Sequence, residues 1–507
     1  MNATSHCKNL ALPGLFVLLC AASGHAYAAA CTSIANAAWN VQTTWGAAGI
    51  GCVGAPGGIP GAADSVTIAT DVTLDAARSV ASLTVNLGST FTPNALTLTV
   101  SGDINNGGTI NDPAAGANGL ILSTGNAAVL SGNGNITGEA RVEVTGNAAV
   151  ISGNWNFSGT TRLYTNGAAP SIAAGSTLTF TGTSQLRAGR TNAGATVAGS
   201  VLTINGTLTS TVPVSGADNF LRLYANSTII GATGVIDAAS SEITYQANAA
   251  TLTNNGTVTI LDVVGTNAAN NWTNAAGSTL NVSGALMATG TLTANAAVNT
   301  VNYTGAAQAG KVTTYNNLIL SGSGAKTFAT TPTVNSVLSM EGTATVTVTA
   351  GVVTYGANAT LQYNTASART VSAEEWITPF AGSGGVIIAN TGVITLNVAK
   401  VFNASVPLAI NPGATLATNN LQVTFGGNFI NGGTFAAGSS PVVIANTAAT
   451  QSIAGFTTTG LVSMTKTAGT ASFTSNVSGA GLTLNGAGGT LDLGAGLTHS
   501  FSGNWTS

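Results

Sequence analysis

Short runs in which apolar and polar residues alternate recur along the chain from about residue 66 onward. Leu178 and Phe180 alternate with threonines in one run, and Val258 and Ile260 do so in another. This alternation predicts strands with one buried face, and the Asn-Gly, Gly-Gly and Ser-Gly pairs between the runs predict turns. Beyond the N-terminal segment, no stretch has the pattern of a long amphipathic helix. The chain is therefore predicted to be all-β.

The runs belong to a short repeat. Residues 125–138 return at residues 146–159 with ten of fourteen letters unchanged, after a step of 21 residues. Residues 162–164 return at residues 222–224, which we interpret as three further steps, and Tyr245 then matches Tyr224 one step later. A period of this length is typical of solenoids, whereas an array of β-sandwiches would repeat near ~100 residues. The sequence predicts a right-handed parallel β-helix, a β-solenoid with one repeat in each coil.

The N-terminal segment has the organisation of a secretory signal peptide. Lys8 precedes an apolar stretch at residues 10–22, and Ala26 and Ala28 supply the small residues that signal peptidase requires. The apolar stretch is shorter than the ~20 residues of a membrane span. We expect cleavage near Ala28, a secreted, extracellular or cell-surface location, and no transmembrane segment in the mature chain.

Two cysteines, Cys31 and Cys52, remain after this cleavage. Cysteines of an exported chain are predicted to pair, and a disulfide closing a loop of this length adds about 3 kcal/mol in the chain-entropy model. Two alternatives stay open, a pair of free thiols and a lipoprotein signal that ends at Cys31.

The pattern divides the chain into four segments: a signal peptide at 1–28, an N-terminal β-rich cap at 29–115, a regular solenoid at 116–310 and a less regular continuation at 311–507. A cap is expected because the first coil of a solenoid would otherwise expose its core. The repeat runs on to the last residues, so we expect the open strand edges there to be covered by further chain or by a partner, self-association included.

Charged residues make up only 5% of the chain, against about 25% in ordinary soluble proteins. In a parallel solenoid, equivalent positions of successive coils lie ~4.8 Å apart, so a charge kept at one position would face its own copy and repel it. Threonine, serine, asparagine and small apolar residues stack without that cost. The net charge is −3 and no run of lysine or arginine occurs, so we expect neither nucleic acid nor a cofactor as a partner.

Residues 39–110 also carry a recognisable motif order. Trp39 and Trp45 precede the run Pro-Gly-Ala-Ala-Asp-Ser-Val-Thr-Ile at 60–68, and an alternating strand follows at 80–85. This order resembles the eight-glycine domain found at the front of extracellular β-helix proteins, although the segment around Cys52 departs from that pattern. The resemblance implies an extracellular module that engages carbohydrate. The later repeats are similar to those of large bacterial surface adhesins, which implies an adhesive role.

One acidic pair is a candidate for chemistry on a sugar. Glu374 and Glu375 adjoin Trp376, and paired carboxylates beside an aromatic ring are the groups that glycoside cleavage uses. Neighbours on a strand point to opposite faces. We therefore interpret the pair as a solvated loop in preference to a catalytic dyad, and we expect no catalytic residue.

A second charged group is predicted on the surface of the repeats. Glu139, Arg141 and Glu143 alternate along one strand, and Arg162 falls one coil above Arg141. We expect these four residues to form exposed ion pairs, which contribute about 0–1 kcal/mol each.

These features favour a non-catalytic structural or adhesive rod that makes multivalent contacts with glycans, cell surfaces or itself. A polysaccharide lyase or hydrolase on a β-helix is the first alternative. An ice-binding protein is the second, because Thr-x-Thr triplets such as those at 97–99, 177–179 and 345–347 can line a flat face. The triplets do not recur at a constant step along the sequence, so we expect no extended lattice of them.

Overall fold

The computed structural model is an all-β parallel solenoid, which confirms the predicted fold class. It winds through about 20 turns, equivalent to a rod roughly 90 Å long. The structure describes residues 28–113, 116, 118–214, 219–224, 227–446 and 450–507. Residues 1–27 lie outside this range, so the signal peptide and its cleavage stay predictions, as does the handedness of the coil.

Each coil supplies strands to three ladders that run along the rod. The first ladder comprises Ala30–Thr32, Ser65–Ile68, Ser82–Val85, Ile104–Asn106, Val129–Ser131, Val150–Ile151, Ser171–Ile172, Val201–Ile204, Ser227–Ile230, Thr251–Asn254, Asn271–Asn274, Thr291–Thr293, Thr354–Tyr355, Lys400–Val401, Val423–Phe425, Val442–Ile444, Leu461–Met464, Gly481–Leu484 and Trp505–Thr506. The second ladder comprises Ala37–Ala38, Val72–Thr73, Thr90–Thr92, Thr109–Asp112, Asn135–Gly138, Asn154–Phe157, Thr177–Phe180, Thr207–Ser210, Thr279–Val282, Thr300–Tyr303, Thr360–Asn364, Gly385–Ile388, Leu408–Ile410, Phe429–Asn431, Gln451–Ile453, Thr470–Phe473 and Thr490–Asp492.

The third ladder follows the second and precedes the first within each coil. Its strands are Arg78–Val80, Thr97–Val100, Leu120–Ser123, Arg141–Val144, Arg162–Thr165, Gln185–Ala188, Leu221–Leu223, Gln308–Gly310, Ala325–Phe328, Thr345–Val348, Arg369–Thr370, Val393–Thr395, Thr415–Ala417, Thr434–Ala436, Phe456–Thr457, Val477–Gly479 and Ser500–Phe501. Four longer strands turn a corner and serve two ladders, namely Val235–Tyr245, Thr257–Val264, Thr314–Leu320 and Thr333–Glu341.

The register confirms the 21-residue step where the sequence shows it most clearly. Val129 lies opposite Val150, and Asn135 lies opposite Asn156. The main-chain N–H of Asn154 donates to the Gly132 carbonyl at 3.0 Å and to the side-chain oxygen of Asn133, 21 residues earlier, at 2.9 Å. Identical residues of successive repeats therefore lie opposite one another in this part of the rod, as the 21-residue repeat predicts.

The longer-range interpretation of the repeat is wrong. Leu163 lies opposite Leu186, and Leu186 lies opposite Leu221, so residues 162–164 and 222–224 are two coils apart and out of phase by two residues. Tyr245 likewise lies opposite Leu223 instead of Tyr224. Extra chain between the strands lengthens these coils, and identical letters then fall out of register.

An unbroken column of inward side chains along the second ladder forms the centre of the core. Its members lie opposite one another from coil to coil and are almost fully buried. The column comprises Trp155, Leu178, Leu208, Ile236, Val258, Leu280, Val301, Leu318, Leu338, Leu361, Val386, Leu408, Phe429, Ile453 and Phe473. Apolar burial of this kind stabilises a fold by roughly 25 cal/mol for each Å² removed from water.

The N-terminal coils use the same ladders as the rest of the rod. Cys31 lies opposite Val66, and Val66 lies opposite Leu83, so the strands predicted in this segment form and pair in parallel. The pairing continues from Thr97–Val100 to Leu120–Ser123, across the predicted boundary at 115.

Two aromatic rings and a short helical segment pack on these first coils. Trp39 and Trp45 are buried with their rings 4.8 Å apart, and the Trp45 indole N–H donates to the Trp39 carbonyl at 2.7 Å. The helical elements are an α-helix at Gln42–Trp45 and a 3-10 turn at Pro56–Gly58. The described residues contain no helix that is both long and apolar enough to cross a membrane.

The predicted disulfide is present in this segment. Cys31 and Cys52 are bonded, with their Cα atoms 5.3 Å apart, and both side chains are buried. The bond ties the first strand of the first ladder to the loop that carries the 3-10 turn. It therefore holds the inserted Cys52 segment against the first coil.

The core column makes a direct prediction about stability. Leu280→Ala should lower the free energy of unfolding by about 2–5 kcal/mol, because it leaves a cavity between Val258 and Val301. Thr279→Ala is the matched control: its side chain is half-exposed on the outer face of the same strand, and a surface change of this kind costs within ~0.5 kcal/mol. Urea unfolding followed by circular dichroism measures both. Equal losses in the two variants would contradict the assignment of inner and outer faces.

Candidate functional site

The structure places the predicted acidic pair and the adjoining Trp376 at a corner of the coil, with two of these three residues in the core. Glu375 and Trp376 are each 1% exposed, whereas Glu374 is half-exposed. The Trp376 ring packs against Tyr363 at 5.8 Å and Phe402 at 6.1 Å between ring centres. Its face is therefore occupied by core aromatics and is not presented to a sugar in solvent.

Glu375 is held by hydrogen bonds from its own corner. Its Oε1 accepts from the Ser372 N–H at 3.1 Å and from the Tyr363 hydroxyl at 3.3 Å, and Ser372 Oγ donates to Oε2. Arg369 forms an ion pair with it at 3.5 Å. Burial raises the pKa of Glu375, and the Ser372 hydrogen bond and Arg369 oppose that shift. The predicted solvated loop is thus, at Glu375, a buried carboxylate that closes a turn.

A lysine completes this buried group. Lys400 is fully buried, and its Nζ donates to the Trp376 carbonyl at 2.6 Å while lying 5.4 Å from the centre of the Trp376 ring. Burial lowers the pKa of Lys400 to about 8, against the favourable charge of Glu375. These groups join two successive coils at one corner.

A second lysine is buried in the same way in another coil, and the sequence pattern did not predict this role. Lys326 is fully buried, and its Nζ donates to the carbonyls of Gly305 and Ala306, each at 2.5 Å, and to Oε1 of Gln308 at 2.8 Å. Burial lowers the pKa of Lys326 to about 8. An ammonium group supplies three donors, so one lysine binds several buried acceptors of a turn at once.

The ammonium groups of Lys311 and Lys466 also donate to acceptors of neighbouring coils. Lys311 Nζ donates to the Met287 carbonyl at 2.7 Å, and Lys466 Nζ donates to Oε1 of Gln451 at 3.1 Å. The available sequence signal was their rarity: in a chain with so little charge, each retained lysine is a candidate for a specific contact. The pattern alone could not show that the contact is internal.

The predicted surface cluster is only partly brought together. Arg141 lies opposite Arg162 as expected. However, Arg141 donates to the Asn192 side chain at 2.6 Å, and Glu143 accepts from the Asn166 side chain at 2.6 Å and from the Asn192 N–H at 3.1 Å. The hydrogen bonds of Arg141 and Glu143 therefore go to asparagine groups, and the predicted ion pair between them does not form.

The outer face of the second ladder carries a more regular feature, which we call the Thr/Asn double column. Each of its strands points two side chains outward, two residues apart, and both positions are exposed or half-exposed. All of these side chains are polar except Val235. The pairs, from one coil to the next, are Asn154 and Asn156, Thr177 and Thr179, Thr207 and Thr209, Val235 and Asp237, Thr257 and Thr259, Thr279 and Asn281, and Thr300 and Asn302.

Side chains within the double column bond to their neighbours along the rod. Thr209 Oγ1 donates to Thr179 Oγ1 at 2.9 Å across 30 residues of sequence, and Asn302 donates to Asn281 at 3.3 Å across 21. Coils of unequal length bring the Thr-x-Thr triplets at 177–179 and 207–209 into register, whereas the triplets at 97–99 and 345–347 lie on the third ladder. The expectation that the Thr-x-Thr triplets form no extended array therefore stays a prediction. The seven rungs of the double column, asparagine rungs included, span ~29 Å.

A shallow groove of about 440 Å³ lies beside the middle of the double column and is lined by Thr179, Thr209, Asp237 and neighbouring small residues. It adjoins the corner where Val235–Tyr245 passes from the second ladder to the third. Asp237 is exposed there, so a carboxylate interrupts the otherwise neutral array.

In the part of the chain that the structure describes, no group of three or more histidine, cysteine or acidic side chains could hold a metal ion. Asp64, the acid in the eight-glycine-like run, accepts the N–H groups of Ala29 at 2.7 Å and Gly61 at 2.8 Å. It is thus engaged in holding the first strand.

No protein-family model, curated protein or solved structure matches the chain. The candidate sites consequently stand on the geometry described above.

The lysine contacts predict an unusual dependence of stability on pH. Between pH ~8 and ~10 the folded state releases the Lys326 proton while an unfolded lysine, with a pKa near 10.4, keeps it. The unfolded state then binds more protons, so the free energy of unfolding should rise as the pH rises through this window.

Lys326→Met should reduce that rise and, at pH 7, lower the free energy of unfolding by about 1–3 kcal/mol, because the turn carbonyls lose their donor. Thr327→Met, exposed on the same strand, should leave the pH dependence unchanged. Chemical unfolding at several pH values measures both effects. A wild-type curve that is flat or falls from pH 8 to 10 would contradict the lowered pKa.

Proposed function

We propose that this chain is a non-catalytic structural and adhesive β-solenoid of the cell exterior, which binds extended neutral glycan surfaces through its Thr/Asn double column. The double column is the observation that supports this proposal. It repeats hydroxyl and amide groups over several coils, at the spacing between one coil and the next. Each group makes a weak contact, but a rigid row of them engages a regular surface together, and avidity then exceeds the single affinity.

The disulfide supports an extracellular location. Cys31 and Cys52 are paired, and disulfides persist in oxidising compartments such as the cell exterior. The sparse charge is also consistent with a rod that meets a polymer over a long face.

Three substitutions spread along the rungs test the double column. Thr177→Lys, Thr257→Lys and Thr300→Lys together should reduce binding to insoluble cellulose or chitin by at least about tenfold, because long charged side chains hold a flat surface away. The matched control carries Thr203→Lys, Thr253→Lys and Thr293→Lys, which are outward threonines of the first ladder. Co-sedimentation of each variant with the polymer gives the affinity.

Equal binding by both triple variants would contradict the proposal, as would failure of the wild-type protein to bind any polymer. The same incubations also test the enzymatic alternative. Release of reducing or unsaturated sugars that Glu374→Ala abolishes would show a carbohydrate-active enzyme instead.

Ice binding is a second candidate, and the in-register threonines favour it. Thr177 and Thr179 lie directly opposite Thr207 and Thr209, so hydroxyls repeat in two directions on one face. If ice is the ligand, concentrated wild-type protein should show thermal hysteresis in a nanolitre osmometer, and the Thr177, Thr257 and Thr300 triple variant should not. No hysteresis in the wild-type protein would remove this candidate.

A further inference from the structure

The third ladder carries like charges on neighbouring coils, an arrangement that the low charge of the chain avoids elsewhere. Between residues 141 and 262 three pairs of like charges lie directly opposite one another on neighbouring coils. These pairs are Arg141 with Arg162, Arg187 with Arg222, and Glu242 with Asp262. Like charges placed opposite one another across strands destabilise a sheet, so this face has a cost that the rest of the rod avoids.

Three guanidinium groups converge beside two tyrosine rings. Arg187 lies over Tyr164 with 5.6 Å between the guanidinium carbon and the ring centre, and Arg190 lies over Tyr224 at 4.6 Å. Arg222 is opposite Arg187 on the next coil. Burial lowers the pKa of Arg187, and the charges of Arg222 and Arg190 act in the same direction.

Several hydrogen-bond donors of this cluster have no acceptor. The Tyr224 side chain is 6% exposed, yet its hydroxyl has no hydrogen-bond partner, and the buried Nε atoms of Arg190 and Arg222 have none either. Within the described residues, Arg187, Arg190 and Arg222 form no ion pair with an acid. Buried polar groups are nearly always satisfied, so a cluster of orphaned donors marks a place for an acceptor.

A loop forms a wall beside this cluster. Arg190 pairs with Thr196 in an antiparallel bridge, and the loop between them bends back so that Asn192 contacts Glu143 and Arg141. Glu143 lies opposite Tyr164, which in turn lies opposite Arg187 on the next coil. The loop thereby encloses the flat ladder face on the side of Tyr164.

We propose that this face, formed by Tyr164, Arg187, Arg190, Arg222 and Tyr224, binds the anionic group of an acidic polysaccharide. A guanidinium presents a planar fork of donors that matches a carboxylate or a sulfate ester. The orphaned Tyr224 hydroxyl and guanidinium N–H groups supply the donors that such an oxyanion accepts.

The neighbouring acids distinguish this ligand from nucleic acid. Glu143 lies on one side of the arginines, and Glu242 and Asp262 lie on the other. A continuous phosphate backbone would meet repulsion on both sides, whereas the uncharged parts of a sugar chain would not be repelled by these carboxylates. The site thus fits a chain of sugars in which anionic groups alternate with hydroxyls.

Isothermal titration calorimetry at low salt tests the site with four probes: oligogalacturonate, a heparin oligosaccharide, a neutral maltooligosaccharide and a single-stranded DNA oligonucleotide. Wild-type protein should bind one or both acidic saccharides and neither of the other probes, and the preferred saccharide identifies the anion as carboxylate or sulfate. Added salt should weaken this binding.

Arg222→Gln should weaken the affinity by on the order of tenfold or more. Arg78→Gln is the matched control, since it removes the same charge from the same ladder at the Asp75 ion pair. Tyr224→Phe should weaken binding without lowering the midpoint of thermal unfolding, because the hydroxyl has no partner in the free protein. This variant remains informative if the arginine variant folds poorly.

No binding of either acidic saccharide would overturn the proposal, as would equal losses in Arg222→Gln and Arg78→Gln, or DNA binding as tight as saccharide binding. The site lies on the third ladder, apart from the Thr/Asn double column. The two triple-lysine variants should therefore retain acidic saccharide binding, and each proposal can fail without the other.

Discussion

Parallel stacking of successive coils is the constraint on which the rest of this structure depends. Each side chain sits ~4.8 Å from its counterparts above and below, so every position is selected first for compatibility with its own neighbours in the column. Apolar residues form continuous inward columns such as that from Trp155 to Phe473. Threonine and asparagine hydrogen-bond to one another outside. The low charge of the chain follows from the same geometry, because ions of one sign would repeat at close range.

The few charges that remain serve defined structural purposes or lie together. Lys326 and Lys400 are inside the rod, where each ammonium binds turn carbonyls, and Glu375 closes a turn beside Arg369. Such buried groups are tolerated because their hydrogen bonds replace those lost from water. The arginines of the third ladder differ, since their donors remain partly unused. That contrast separates the charges that maintain the fold from those proposed to bind a ligand.

Two faces of one rod are thus proposed to serve two kinds of recognition. Apart from Asp237, the Thr/Asn double column presents neutral groups over a length of several coils, which suits weak contacts repeated along a polymer. The arginine and tyrosine face is compact, enclosed by the loop at Asn192, and concentrates charge in one place. A rod with both features can combine avidity along its length with selectivity at a single position, while the rigid core keeps their relative placement constant.

The sequence by itself determined the strands, the parallel solenoid, the 21-residue step near Val129 and Val150, and the pairing of Cys31 with Cys52. These follow from local alternation, short-range repetition and residue count. Only the tertiary structure decided that Thr177 lies opposite Thr207, that residues 162–164 and 222–224 are out of phase, and that Glu375 and Trp376 are buried. The reason is that register between coils depends on the length of every intervening loop. A loop can grow without changing the strands on either side of it, so distances along the chain do not report which side chains meet.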